Sequence, residues 1–174
     1  MTTIARPAAG EFAPFYSGYI AAVPDGDLVA IAEAQGRDLL DTLKGLSDEQ
    51  ALHRYAPDKW TIKEVLGHIT DAERIFTYRA LRIARGDATP LASFDQDAYV
   101  QSGNAGRRTL RDLLDEFSAV RGATLALFRS LSADEAARLG TASNASVSAR
   151  GLCYITVGHA GHHLRILKER YLQA

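Results

Sequence analysis

The sequence predicts an all-α domain, and more specifically a four-helix bundle. Apolar residues recur at helical spacing in four long segments, at about residues 27–44, 61–85, 109–131 and 148–171. No segment shows the alternation that is typical of a β-strand. Residues 87–108 form a long connection, which suits a chain that crosses the bundle between the second and third helices. Four long helices without strands bury their apolar faces most simply against one another.

Composition and charge set limits on the function. The 174 residues suit one domain, and 47% hydrophobic with 24% charged residues is typical of a folded globular protein. The 20 basic and 21 acidic residues give a net charge of −1, so there is no electrostatic reason to expect nucleic acid or an anionic membrane as a partner. No apolar run approaches the ~20 residues of a membrane span, and the first residues lack a signal peptide's hydrophobic region. We therefore expect a cytoplasmic protein.

The single cysteine limits the chemistry further. Cys153 excludes an intramolecular disulfide and a zinc site built from several cysteines. Because it lies in the apolar segment 151–155, we expect a buried and unreactive thiol.

The N-terminal arm is predicted to differ from the rest of the chain. Residues 1–26 contain three prolines with aromatic residues between them, so we predict an irregular arm whose aromatics pack on the bundle. Residues 27–174 then form one domain. Its first helix begins after Asp27, a typical N-cap residue, and ends near Gly45.

The remaining helices have recognisable starts. Thr61 with Glu64 three residues later has the form of a capping box at the start of the second helix. The third helix begins at Thr109. A short helix follows from residue 132 to about 139, and a small polar loop at 140–147 precedes the fourth helix, which Ser146 or Ser148 would cap.

The histidines near the C-terminus carry the strongest chemical signal. His159 and His163 are spaced i, i+4, which places both imidazoles on one helix face. Neutral imidazole is a common ligand of zinc-like metals, so the pair predicts part of a metal site. His162 lies at i+3 from His159 and is an alternative ligand, although the periodicity favours His163.

A third ligand is available on the second helix. His68 shares a helix face there with Glu64 and Asp71. If the second and fourth helices face each other, three imidazoles converge and leave a coordination position open, as in catalytic zinc sites. Asp71 or Glu64 would then orient an imidazole or transfer a proton. In the alternative interpretation His68 is half-exposed and hydrogen-bonded to Asp71 without a metal.

Two segments resemble a known family. Residues 60–73, WTIKEVLGHITDAE, resemble the W-[ST]-x-x-E-x-L-x-H-[LI]-x-D-x-E signature of the DinB/YfiT-like superfamily, and residues 159–166, HAGHHLRI, resemble its H-x-x-H-H-x-x-[IL] signature. The resemblance covers roughly residues 27–171. It implies a four-helix bundle, often a homodimer, with one divalent metal, commonly nickel or zinc. The implied ligands are His68, His159 and His163, with His162 as a neighbour that does not bind.

The resemblance leaves the reaction open. Relatives include S-transferases and isomerases that depend on a low-molecular-weight thiol, such as bacillithiol, mycothiol or glutathione, and damage- or stress-inducible metal-dependent hydrolases. One hypothesis is therefore an enzyme that acts on a small-molecule substrate, as a thiol S-transferase or a hydrolase. The other is a non-catalytic metal-binding protein of the stress or damage response.

Overall fold

The computed structural model describes residues 4–172, so the first three residues of the predicted arm and the last two of the predicted domain lie outside it. Within residues 4–172, seven α-helices and two short β-strands follow one another. In order they are α1 (Ser17–Ala22), α2 (Leu28–Leu43), α3 (Ile62–Ala84), α4 (Gln96–Gly103), α5 (Leu110–Ser130), α6 (Ala133–Ala137), β1 (Leu139–Ala142), β2 (Ala145–Ser148) and α7 (Ala149–Ile166). Short 3₁₀ turns occur at Pro14–Tyr16, Gln50–Leu52 and Ala105–Arg107, and a π-helical turn at Leu167–Tyr171 continues α7.

The four long helices form the predicted bundle. Helix α3 packs against α7 and α5, and α2 packs against α5 and α7. Short α1 lies on α7. The prediction of a mainly helical four-helix architecture is confirmed. Within residues 4–172, none of the helices combines the length and the hydrophobicity that crossing a bilayer would require.

The predicted helix starts agree with the observed caps. Thr61 Oγ1 accepts a hydrogen bond from the Glu64 amide at 3.2 Å, and Glu64 Oε2 accepts one from the Thr61 amide at 2.7 Å. This is a complete capping box. Thr109 caps α5 through the Asp112 amide, and Ser148 caps α7.

The prediction of no strands was wrong at residues 140–147. Strands β1 and β2 pair antiparallel across a two-residue turn at Ser143 and Asn144, whose φ angles are 51° and 61°. Two consecutive positive φ angles are typical of a type I′ hairpin turn. The crossing connection adds a third segment, because the Leu91 amide donates to Thr141 O at 2.9 Å. Backbone hydrogen bonds therefore hold these small polar residues together as strands. Their sequence shows no alternation of apolar side chains, so it did not predict them.

The arm and the crossing connection contain more regular structure than we predicted. The arm includes helix α1, and the connection includes helix α4. Glu11 fixes the arm to the bundle, since its Oε2 accepts hydrogen bonds from Arg150 Nε at 2.6 Å and Ser148 Oγ at 2.7 Å. Packing on α7 stabilises the arm. Because this interaction joins distant segments of the chain, the local sequence pattern does not predict it.

A polar layer divides the core of the bundle. The buried apolar residues form two clusters, and each of the four long helices contributes to both. On α3, for example, Ile69 belongs to one cluster and Phe76 to the other. Along α2, α5 and α7, the polar residues Gln35, Arg121 and His159 lie between the members of one cluster and those of the other, and Arg121 pairs with Glu73 on α3.

Candidate metal centre

Three histidines come together where α3 faces α7. One ring nitrogen each from His68, His159 and His163 lies within 4.8 Å of the other two. The Nε2 atoms of His68 and His159 are 2.9 Å apart. The ring centroid of His163 lies 4.8 Å from that of His68 and 4.6 Å from that of His159. The structure thus brings together the three residues that the sequence singled out.

Burial keeps these imidazoles neutral. His68 and His159 are buried and His163 is half-buried. Burial lowers the pKa of His68 to about 4 and that of His163 to about 3. It also holds the pKa of His159 well below its usual value, and the neighbouring imidazoles add to this effect. All three rings are therefore in the neutral form that binds a metal.

The donor set fits a divalent transition metal. Nitrogens that share a metal at about 2.0–2.1 Å lie about 3.4 Å apart in a tetrahedral arrangement, and the ring nitrogens here lie within 4.8 Å of one another. Three neutral nitrogens suit zinc and nickel better than magnesium or calcium, which prefer oxygen. With three protein donors, one position of a tetrahedral ion would stay free for a ligand.

Aromatic side chains enclose the cluster, and sequence reasoning missed this wall. The Trp60 ring lies 4.8 Å from the His68 ring, and Tyr171 Oη donates to the Trp60 carbonyl at 2.7 Å. The edges of Phe76 and Tyr19 meet His159 at centroid distances of 5.6 and 5.7 Å. Tyr19 comes from the arm, so its position could not be predicted from the pattern of the helices.

The two remaining histidines lie outside the cluster. His162 is half-buried on another face of α7, where its Nδ1 lies 3.4 Å from Arg165 Nη2. It lines a separate cavity of about 440 Å³ together with Tyr19 and Gln35. His53 is exposed in the connection before α3. The assignment of His68, His159 and His163 as ligands stays a prediction, and their geometry is consistent with it.

A second cavity, of about 230 Å³, opens beside His68 between α3, α4 and α5. We call it the His68 cavity. Polar and charged side chains make up most of its lining on the sides of α3 and α5. Helix α4 forms its third side. These residues include His68, Glu64, Asp71, Tyr99, Arg108 and Glu116.

Asp71 and Glu64, which the sequence suggested as orienting or proton-transferring residues, have different surroundings. Glu64 is engaged by the capping box with Thr61. Asp71 is half-buried, and burial raises the pKa of its carboxyl above the usual value. Among residues 4–172, no hydrogen bond joins either carboxylate to an imidazole. Of the two, Asp71 has the carboxylate that is freer to exchange a proton.

A buried polar network positions the turn of α7 that carries His159. Arg121 on α5 donates to both carboxylate oxygens of Glu73 on α3, at 2.8 and 2.7 Å. It also donates to Gln35 Oε1 on α2 at 3.2 Å, and Gln35 Nε2 donates to Val157 O on α7 at 2.9 Å. The network therefore joins all four long helices two residues before His159. Sequence reasoning missed it, because its partners are far apart in the chain.

Comparisons with known proteins agree with this architecture. The family model of the DinB superfamily matches residues 31–167. The structure is similar to that of YfiT from Bacillus subtilis, reported as a probable metal-dependent hydrolase with an unusual four-helix bundle topology, with a TM-score of 0.74, 17% identity and 82% of each chain covered. A search of curated proteins finds no match. The match to the family model over most of the chain identifies this protein as a member of the DinB superfamily.

Proposed function

We propose that this protein is a metal-dependent enzyme that acts on a small molecule. One observation carries the proposal: three neutral imidazoles, two of them buried and one half-buried, come together, and one of them, His68, also lines a cavity. Neutral imidazoles bind zinc or nickel, and His68, His159 and His163 would hold such a divalent cation.

The proposed chemistry follows from the donor set and from Asp71. A bound divalent metal would supply Lewis-acid activation of water or of a thiol. Asp71 lines the same cavity as His68, and burial raises the pKa of its carboxyl, which makes its carboxylate a better proton acceptor for a nucleophile in that cavity. Trp60, Phe76 and Tyr19 would exclude bulk water from the remaining sides of the imidazole cluster.

Hydrolysis is the reaction that we favour, and thiol transfer is the second candidate. The structural similarity to YfiT, which is reported as a probable metal-dependent hydrolase, supports hydrolysis. The uncharged donor set supports transfer from a low-molecular-weight thiol, because three neutral nitrogens leave the full positive charge of the ion to stabilise an anionic sulfur. Both reactions need the same metal ligands.

Metal content tests the proposal directly. We expect protein purified without an affinity tag to contain about one zinc or nickel ion per chain, measured by elemental analysis. His68→Ala should lower the metal content to a small fraction of that value, because two imidazoles remain. The matched change His53→Ala, at an exposed position, should leave it unchanged. Equal metal content in the two variants would refute the site.

Activity then separates the possible functions. The metal-loaded protein should be screened with hydrolysable esters and amides, and separately with thiols and electrophiles. Turnover that His68→Ala abolishes would identify the reaction. Metal binding without turnover in either screen would favour a non-catalytic metal-binding protein.

A further inference from the structure

The His68 cavity has a net negative lining. Glu64, Asp71 and Glu116 contribute three carboxylates, whereas Arg108 is the one arginine or lysine that lines the cavity within residues 4–172. Arg108 is engaged by carboxylates, since its Nε donates to Asp112 at 2.5 Å and its Nη1 donates to Glu116. Two of its three side-chain nitrogens are therefore engaged by carboxylates, which offset its positive charge.

The three carboxylates are not equally available to a ligand. Glu64 accepts the capping hydrogen bond from Thr61. Glu116 is paired with Arg108 and, at 2.7 Å, with Arg74 Nη1. The same Arg74 nitrogen lies 3.5 Å from Asp71 Oδ1, which is the limit of a hydrogen bond. Among the described residues, Arg74 is the one side chain that pairs with the Asp71 carboxylate. The carboxylate therefore has acceptor positions left for a ligand.

We propose that the His68 cavity binds ligands that carry an ammonium group, and that Asp71 selects them over ligands that carry a carboxylate. This inference rests on the proposed metal site. One end of the ligand would bind the metal, and the ammonium group at its other end would meet Asp71. The cavity of about 230 Å³ is smaller than the ~300–1,000 Å³ of sites for drug-sized molecules, so the ligand is small. Burial raises the pKa of Asp71, and a bound ammonium group would lower it again.

Three thiols of nearly equal size test the selectivity. Cysteamine, 2-mercaptoethanol and 3-mercaptopropionate share a two-carbon chain and differ in carrying an ammonium, a hydroxyl or a carboxylate group. Their binding to cobalt-loaded protein can be followed by the sulfur-to-cobalt charge-transfer absorption at saturating cobalt. Each thiol is compared with itself between wild type and variant, so differences among the thiols in intrinsic affinity for the metal do not affect the result.

We expect Asp71→Asn to weaken cysteamine binding about fivefold, which corresponds to about 1 kcal/mol for a partly exposed ion pair. The same change should strengthen 3-mercaptopropionate binding by a similar factor and leave 2-mercaptoethanol binding within about twofold. The control Asp41→Asn makes the same substitution at an exposed position on α2, outside the cavity, and should change none of the three affinities.

A second variant places the charge change on the opposite wall. Val100 on α4 lines the cavity, and α4 has no buried residues, so Val100→Lys should not disturb folding. It should weaken cysteamine binding and strengthen 3-mercaptopropionate binding, and it carries the test if Asp71→Asn fails to hold cobalt. Unchanged cysteamine affinity in a cobalt-loaded variant would overturn the selectivity while the metal site stands. Wild-type protein that binds no cobalt would instead overturn the proposed function, before any thiol is added.

Discussion

At the scale of single residues, the sequence identified the histidines but not the groups around them. His68, His159 and His163 could be selected because helical spacing determines which side chains share a face. Tyr19 and Trp60 could not, because one comes from the arm and the other is held by Tyr171 across 111 residues of chain. Spacing within one helix is a local property, whereas a contact between distant segments leaves no periodic signal.

Glu11 gives a prediction of pH dependence at this scale. Hydrogen bonding to Arg150 lowers the pKa of Glu11 from 4.5 to about 2, against the opposing effect of burial. The carboxylate therefore stabilises the fold fully above pH 4.5, and this contribution is lost as the pH falls from 4.5 through 2. With solvent screening we expect about 1–2 kcal/mol.

Urea denaturation at a series of pH values measures this effect. Glu11→Gln should lower the free energy of unfolding at pH 7 and flatten its decline between pH 4.5 and pH 2. The exposed residue Glu49 provides the control, since Glu49→Gln should reproduce the wild-type profile. Parallel profiles for the Glu11 variant and wild type would show that the ion pair does not stabilise the fold.

At the scale of elements, the long helices were predictable and the short segments were not. The capping box at Thr61 marks the start of α3 in the sequence because it is made by residues three apart. The β1–β2 hairpin was missed because Ser143 and Asn144 are a weaker type I′ signal than Asn-Gly, and because its side chains do not alternate. Helix α1 has six residues, which is too short to form without the surface of α7.

The contact between α1 and α7 depends on Gly158. A Cβ atom there would overlap the Tyr19 carbonyl group, whereas one at exposed Gly122 on α5 would meet no atom within 4 Å. Gly158→Ala should therefore displace α1 and lower the free energy of unfolding by about 1–3 kcal/mol. Gly122→Ala should raise it by about 0.5–1 kcal/mol, because alanine favours a helix interior. Urea denaturation of both variants measures the difference, and equal effects would show that α1 does not need this close approach.

At the scale of the whole molecule, the polar layer is the feature that sequence reasoning did not detect. Glu73 and Arg121 are 48 residues apart, and both lie on helices whose amphipathic patterns predict only that the interior is apolar. The side chains of the pair are 1% and 5% exposed. The predicted homodimer is a matter of association between molecules, and it stays a prediction.

Breaking this ion pair should affect all four long helices. Arg121→Met leaves the Glu73 carboxylate buried without its partner, so we expect a loss of about 3–5 kcal/mol in the free energy of unfolding. Arg129 on the same helix pairs with Glu33, but these side chains are 48% and 43% exposed. Arg129→Met should therefore cost less than about 1 kcal/mol. Chemical denaturation tests both values, and a small effect at Arg121 would mean that the pair does not stabilise the bundle.

The separation of the histidines along the chain has a consequence for folding. His68 and His159 lie 91 residues apart, whereas His159 and His163 are separated by one helical turn. In an unfolded chain a metal ion could bind His159 and His163 at little entropic cost, because they are close in sequence. Binding His68 as well would close a loop of 91 residues, which costs conformational entropy. The ion would therefore bind the folded chain more tightly and act as a cross-link between α3 and α7. Metal binding and the docking of these two helices should then be one cooperative event.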